Sequence, residues 1–287
     1  MVVIALVRRL PRRVALVLGA AVGRTALLLA RPERRRALAN LARAYPELAS
    51  GRRHRLARQS FAELGRCAFE CMATRSRDVG RLVDTEAAEH RMRQQLAAGR
   101  GLVFVSAHFG NWELMAAAVA RLSLAPVYVL ARRSYDPRFT KLIEDFRARR
   151  GVCCLWVESP GHLRRALRVL QSGGIIGVLL DRPVDRGAVQ SDFFGHPAPT
   201  SPVAAWLSRL ARTPVVVGFI RRGIDGRHRL SVRRVDPGDE GGPGSKTAAD
   251  ARFTQRLTGE IQHSIERSPG HWAWSLDRWR SAGLGGS

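Results

Sequence analysis

The chain has 287 residues, enough for a sizeable buried core in one domain or in one domain with an appendage. Its formal net charge of +24 comes almost entirely from arginine, Lys141 and Lys246 being the only lysines, so its surface must attract something anionic: phospholipid headgroups, nucleic acid or an acidic protein. Cys67, Cys71, Cys153 and Cys154 have no partners at zinc-site spacing, which excludes a motif-type zinc centre and leaves them reading as buried, reduced thiols of a cytosol-facing protein.

Val14–Ala30 is apolar apart from Arg24, with arginines on both flanks. It is about as short as a bilayer span can be, and Arg24 counts against one. The basic flanks also argue against a removable signal peptide. The segment reads as a helix lying on or shallowly in a membrane surface, with a helix packed on the protein's own core as the alternative. Helical patterns follow from Pro32 to Ala44, where Tyr45-Pro46 breaks the chain, and from about Arg52 to Thr74, with Leu56, Phe61, Leu64, Ala68 and Cys71 on the apolar side. A further helix over Glu86–Ala98 stops at Gly99.

The rhythm then changes. Short apolar runs at Leu102–Val105, Pro126–Leu130, Val152–Val157 and Ile175–Leu180 alternate with helical stretches at Asn111–Arg121, Asp136–Arg150 and His162–Gln171. That alternation predicts an α/β fold with a mixed, largely parallel sheet flanked by helices. Asp181–Thr200 reads as a Pro/Gly-rich loop, followed by a helix at Ser201–Arg212, a strand pair at Val215–Ile220 and Leu230–Val235, a Gly/Pro loop at Asp236–Ser245 and a helix at Thr247–Ser268. The chain thus divides into a basic, apolar helix at 1–31, one domain over 32–280 and a loose tail at 281–287.

Chemistry concentrates in Gly101–Glu113, GLVFVSAHFGNWE. In a parallel sheet, ligands bind at the carboxyl ends of the strands. His108 falls at one such end and Asp181-Arg182 at another. On a single helix, His108 and Glu113 would stand about 140° apart, too far to cooperate. If His108 precedes the helix, with Gly110 turning the chain and Asn111 as N-cap, Glu113 can lean back towards it. A carboxylate on one imidazole nitrogen fixes the tautomer and leaves the other nitrogen free to take a proton. A structural histidine at a strand end is the plainer reading of the same residues. Ser106 lacks the Gly-flanked elbow of an α/β-hydrolase nucleophile, and His162, His196 and His271 are too scattered for a metal centre.

Ser106-Ala107-His108-Phe109-Gly110-Asn111-Trp112-Glu113 resembles the H-x4-D/E motif of the lipid A biosynthesis late acyltransferases, of lauroyl/myristoyl acyltransferase type, within the wider glycerolipid acyltransferase group. Other landmarks are similar and in the same order: Asn40-Leu41 with Tyr45-Pro46-Glu47, Ala131-Arg132 before Asp136-Pro137, Arg147 before Gly151, Leu180-Asp181-Arg182, Phe193-Phe194-Gly195 with Thr200 and Pro202, Trp272-Ala273-Trp274, and Arg278-Trp279-Arg280. Leu276-Asp277 stands where the family usually has His-Arg, and Asp181-Arg182-Pro183, with Asp185 nearby, replaces its D-x-D loop; both departures bear on the acceptor more than on the reaction.

The resemblance implies a glycerolipid-acyltransferase-like fold with an N-terminal membrane-associating helix, and O-acyl transfer from acyl carrier protein or acyl-CoA to a hydroxyl of a lipid A precursor or related glycolipid. It needs no metal or cofactor. His108 would be the general base, oriented by Glu113 or, from a second strand end, by Asp181. Asn111, Arg132, Arg147 and Arg182 would bind substrate, the arginines through phosphate, while Phe193-Phe194 would line an acyl pocket or simply pack in the core. The enzyme would sit on the cytoplasmic face of the inner membrane, against its anionic surface, with no nucleic-acid partner. An acyl-ester or thioester hydrolase and a non-catalytic binder of anionic lipid or nucleic acid are the alternatives.

Overall fold

The structure, a computed structural model, describes residues 6–184, 186–238 and 245–279. Asp185, Arg280 and the 281–287 tail lie outside the described residues, as do the first five residues of the N-terminal segment and most of the 236–245 loop.

Three helices come first: α1 (Arg12–Leu29), α2 (Arg31–Ala44) and α3 (Ser50–Ala73). The α1 helix packs on α3 through small residues. Ala15, Gly19, Ala20 and Gly23 are buried, and a Cβ on Gly65 of α3 would stand 2.0 Å from the Gly19 carbonyl oxygen. The opposite face of α1 leaves Val14, Val17, Leu18, Val22, Leu28 and Leu29 exposed, Val17 at 68% and Leu29 at 76%. One face of α1 is therefore core and the other is an exposed apolar surface among arginines. Among the described residues no single helix is long and apolar enough to cross a membrane; α1 and α2 pass that test only together, bent by 91° at their junction.

The short α4 (Val79–Leu82), β1 (Val83–Asp84) and α5 (Glu86–Leu96) lead to the expected alternation: β2 (Leu102–Ser106), α6 (Trp112–Arg121), β3 (Val127–Ala131), α7 (Pro137–Ala148), β4 (Val152–Trp156), α8 (His162–Gln171) and β5 (Ile175–Leu179). After the hairpin β6 (Val189–Phe193) and β7 (His196–Thr200) come α9 (Val203–Ala211), β8 (Val215–Arg222), β9 (His228–Arg234) and α10 (Lys246–Arg267). The main sheet has seven strands in the order β1-β9-β8-β2-β5-β3-β4. Strands β8, β2, β5, β3 and β4 run parallel, and β9 runs antiparallel to β8. The fold is thus mixed α/β with a largely parallel sheet flanked by helices. Strand β2 is buried on both faces, Val103 and Val105 in the core on one side and Leu102 and Phe104 in the core on the other, so it reads as an unbroken apolar run.

Three expectations need correction. Asp181–Thr200 is more than a loop, because it contains the β6–β7 hairpin, turned by Phe194 (φ 55°) and Gly195 (φ 75°). Successive positive φ values are what a tight two-residue hairpin turn requires. The interior face of α3 is not the stripe through Leu56, Leu64 and Ala68; it carries Ala57, Ser60, Phe61, Cys67 and two glutamates, Glu63 and Glu70. All four cysteines are free, but Cys153 is exposed instead of buried.

Candidate active site

Strands β2 and β5 are in register at Ser106 and Leu179, and Leu180 N–H donates to the Ser106 carbonyl at 3.0 Å. Two residues beyond that pair the chains carry His108 and Asp181 at the carboxyl edge. Backbone register therefore brings the two side chains together. The His108 Nδ1 lies 2.8 Å from Asp181 Oδ1, and the His108 backbone N–H donates to Asp181 Oδ2 at 2.7 Å. Trp272 Nε1 donates to the same Oδ2 at 2.8 Å.

Asp181 is 1% exposed. Burial pushes its carboxyl up, but the charge that His108 carries when protonated and the hydrogen bonds from His108 and Trp272 outweigh it, holding the group below the usual carboxylate range. An ionised Asp181 can only accept, so the proton of the neutral imidazole sits on Nδ1 and the lone pair on Nε2. The His108 side chain is 20% exposed, with Trp112 edge-on at a ring separation of 5.0 Å, and Nε2 makes no hydrogen bond among the described residues.

The loop holding His108 is clamped on both sides. Gly110 has φ 57°, and a Cβ there would meet the Ile220 carbonyl oxygen at 2.2 Å, so only glycine fits. The tail behind Pro269 runs antiparallel to the loop: Gly110 N–H donates to His271 O at 2.9 Å, and Ala273 N–H donates to His108 O at 3.1 Å. Asn111 caps α6, its Oδ1 accepting from Leu114 N–H at 3.1 Å.

The remaining expected site residues fall into two groups. Glu113 does not bond His108. Its carboxylate is gripped by Arg147, Nε to Oε2 at 3.0 Å and Nη2 to Oε1 at 2.6 Å. The carboxylate beside His108 is that of Asp181, because the first turn of α6 directs Glu113 towards α7. Arg147 is correspondingly spent on Glu113 and presents no free fork to a substrate. Burial lowers its affinity for a proton, but the Glu113 bond reverses this and holds the guanidinium firmly charged. Asn111 is 1% exposed and both ends of its amide bond protein groups, Nδ2 to Glu70 and Oδ1 to Leu114 N–H and Cys71. Arg132 and Arg182, by contrast, stand exposed just past the ends of β3 and β5, with no side-chain hydrogen bond or ion pair among the described residues.

Phe193 is fully buried in a cluster with Trp272 and Trp279, and the half-buried Phe194 packs against the core on Tyr45 and Trp274. The sequence reading missed the role of Trp272 as donor to Asp181, although the Trp272-Ala273-Trp274 motif marked the place. It also missed the polar support behind Asn111.

Among the described residues no group of His, Cys, Asp and Glu side chains could hold a metal ion. The arrangement suits proton abstraction by an imidazole whose far nitrogen is anchored. A search of curated proteins finds no match to the chain. The family described as "Bacterial lipid A biosynthesis acyltransferase" matches residues 1–281.

Proposed function

The chain belongs to the bacterial lipid A biosynthesis acyltransferase family and is an acyltransferase; on that premise we propose that it moves a fatty acyl chain from an acyl thioester, of acyl carrier protein or coenzyme A, to a hydroxyl of a lipid A precursor or related glycolipid at the cytoplasmic face of the inner membrane. The observation that carries this reading is the His108–Asp181 pair, with Nδ1 anchored and Nε2 open.

In the proposed reaction, Nε2 takes the proton of the acceptor hydroxyl as its oxygen attacks the thioester carbonyl. The tetrahedral intermediate collapses with loss of the thiolate, which recovers the proton from His108. The products are an ester and a free thiol, and the enzyme returns to its starting state without an acyl-enzyme. Asp181 stabilises the imidazolium formed on the way. The N-terminal end of α6, immediately after the loop, favours negative charge developing nearby. Arg132 and Arg182 suit phosphate on the acceptor or on the donor's phosphopantetheine arm. A strongly basic enzyme also suits an acidic carrier protein. The exposed apolar face of α1, flanked by Arg8, Arg9, Arg13, Arg31 and Arg34, supports a helix lying in an anionic membrane surface.

The test uses purified protein, an acyl thioester and the lipid extract of a strain deleted for this gene, which accumulates the acceptor. Mass spectrometry should find an acceptor species heavier by one acyl chain and, without the extract, little free fatty acid. Equal thioester consumption with and without the extract, released as free fatty acid, would identify a hydrolase and refute transfer.

A further inference from the structure

A second cluster of buried charge surrounds Glu70 on the inner face of α3. Its side chain is fully buried, and four residues donate to it. Oε1 accepts from Arg12 Nε at 2.9 Å and from Arg222 Nη1 at 2.8 Å. Oε2 accepts from Arg222 Nη2, His228 Nε2 and Asn111 Nδ2, each at 2.9 Å. Glu63, two turns earlier on the same face, takes Arg222 Nε at 3.2 Å. Burial pushes the Glu70 carboxyl up, but the hydrogen bonds and charges of His228 and Arg222 overcome this and hold it well below the usual range. Stability alone is a poor reason for such a cluster, because well-packed apolar residues often replace buried ion pairs at no loss.

What the cluster does supply is a fixed geometry at Asn111. An asparagine amide can face either way, and its partners decide which. An ionised carboxylate accepts and never donates, so Glu70 compels the NH2 group of Asn111 to point at it. That leaves Oδ1 facing Leu114 N–H, the bond that caps α6, and Cys71 Sγ at 3.1 Å. Asn111 follows His108 by three residues, and between them lies the forced turn at Gly110. The start of α6 and the imidazole are therefore set by one support. Arg12 reaches that support from α1, at 2.5 Å through Nη2, and the same Nη2 bonds the Gly226 carbonyl in the β8–β9 turn.

We propose that Glu70 is a positioning residue for acyl transfer: by holding the Asn111 amide it sets the loop that presents His108, with Arg12 bringing the N-terminal helix into the same support. This rests on the proposed role of His108 as base. Such a role matters because an error of about 1 Å in the placement of a reacting group can cost about a hundredfold in rate.

Two variants test it in the full-length protein, with acyl-CoA as donor and the deletion-strain lipid extract as acceptor. Glu70→Gln places an amide NH2 among donors. Asn111→Ser keeps a good helix cap but ends one atom short of the amide nitrogen that bonds Glu70. Each should lower kcat at least tenfold with KM for the thioester within twofold, and raise amide hydrogen exchange over 108–114 in the free enzyme. The double variant should fall no further than the worse single, since the two act through each other. If Glu70→Gln fails to fold, Asn111→Ser decides alone. Wild-type kcat in the folded variants, a loss confined to KM, unchanged exchange, or multiplicative losses in the double variant would each overturn the proposal. His108→Ala run alongside separates the two ideas. If it is inactive while the Glu70 and Asn111 variants turn over normally, only the positioning role fails; if it retains wild-type turnover, the base reading fails.

Discussion

Replacing Asp181 by asparagine changes one atom and should remove most of the catalysis. Asp181 receives three N–H groups, two at Oδ2 from the His108 backbone and Trp272 and one at Oδ1 from the imidazole. An amide has one oxygen, so two orientations compete. With its NH2 towards the backbone and Trp272, two buried N–H donors go unsatisfied, at a cost of about 1–3 kcal/mol each. With its oxygen there, both are satisfied and the NH2 meets Nδ1. The second orientation wins by that arithmetic. It turns Nδ1 into an acceptor and moves the ring proton to Nε2, the nitrogen that must be empty to act as a base. Loss of a general base costs about 10²–10⁴ in rate, or about 3–5 kcal/mol of barrier. Steady-state kcat for ester formation should therefore fall in that range, with the thermal midpoint changed by only a few degrees. A variant within threefold of wild type would refute the assignment. So would a larger kcat loss from Glu113→Gln, which would return the orienting role to Glu113.

Other outcomes follow from the packing and the charges. Gly65→Ala should destabilise the protein by about 1–3 kcal/mol or more, because its methyl meets the Gly19 carbonyl at 2.0 Å, whereas Gly259→Ala, with nothing within 4 Å on exposed helix, should raise the midpoint in a thermal melt. Val17→Glu with Leu29→Glu should leave that midpoint unchanged and weaken binding to anionic vesicles by at least about tenfold in a sedimentation assay, since fully burying one such side chain is worth about 1.5–3 kcal/mol. Glu70 and Asp181 are both held below the ordinary carboxylate range in the folded chain. As pH falls, the unfolded chain takes up their protons first, so their contribution is complete above about pH 5 and drains away below about pH 4. Urea midpoints should fall over that window, and less steeply in Asp181→Asn; a midpoint that rises between pH 5 and pH 3 would contradict the sign.

How much of this was legible in the sequence depended on how local the signal was. Strands β2 to β5 were, because each is a short, nearly unbroken apolar run, β2 buried throughout and the others in part. The β6–β7 hairpin was not: its turn is Phe194-Gly195 in place of the usual Asn-Gly, and Pro197 and Pro199 lie within β7. Phe194 tolerates its positive φ because its ring packs on Tyr45 and Trp274.

At the site, proximity along the chain favoured Glu113 as the partner of His108. The register of Ser106 with Leu179, which no local pattern encodes, favours Asp181. Glu63 and Glu70 were hidden for a different reason. Charged residues on a helix read as its solvent face, and only the arrival of Arg12, Arg222 and His228 from distant elements makes their burial tolerable. Arg132 and Arg182, named from the family resemblance, stand exposed just past the ends of β3 and β5.

The central claim is that His108 removes the proton of the acceptor hydroxyl. It is tested most directly by single-turnover ester formation in His108→Ala, with folding checked by thermal melt and membrane association by vesicle sedimentation. The account predicts a rate lower by at least about a hundredfold with folding and vesicle binding intact; ester formation at the wild-type rate would contradict it.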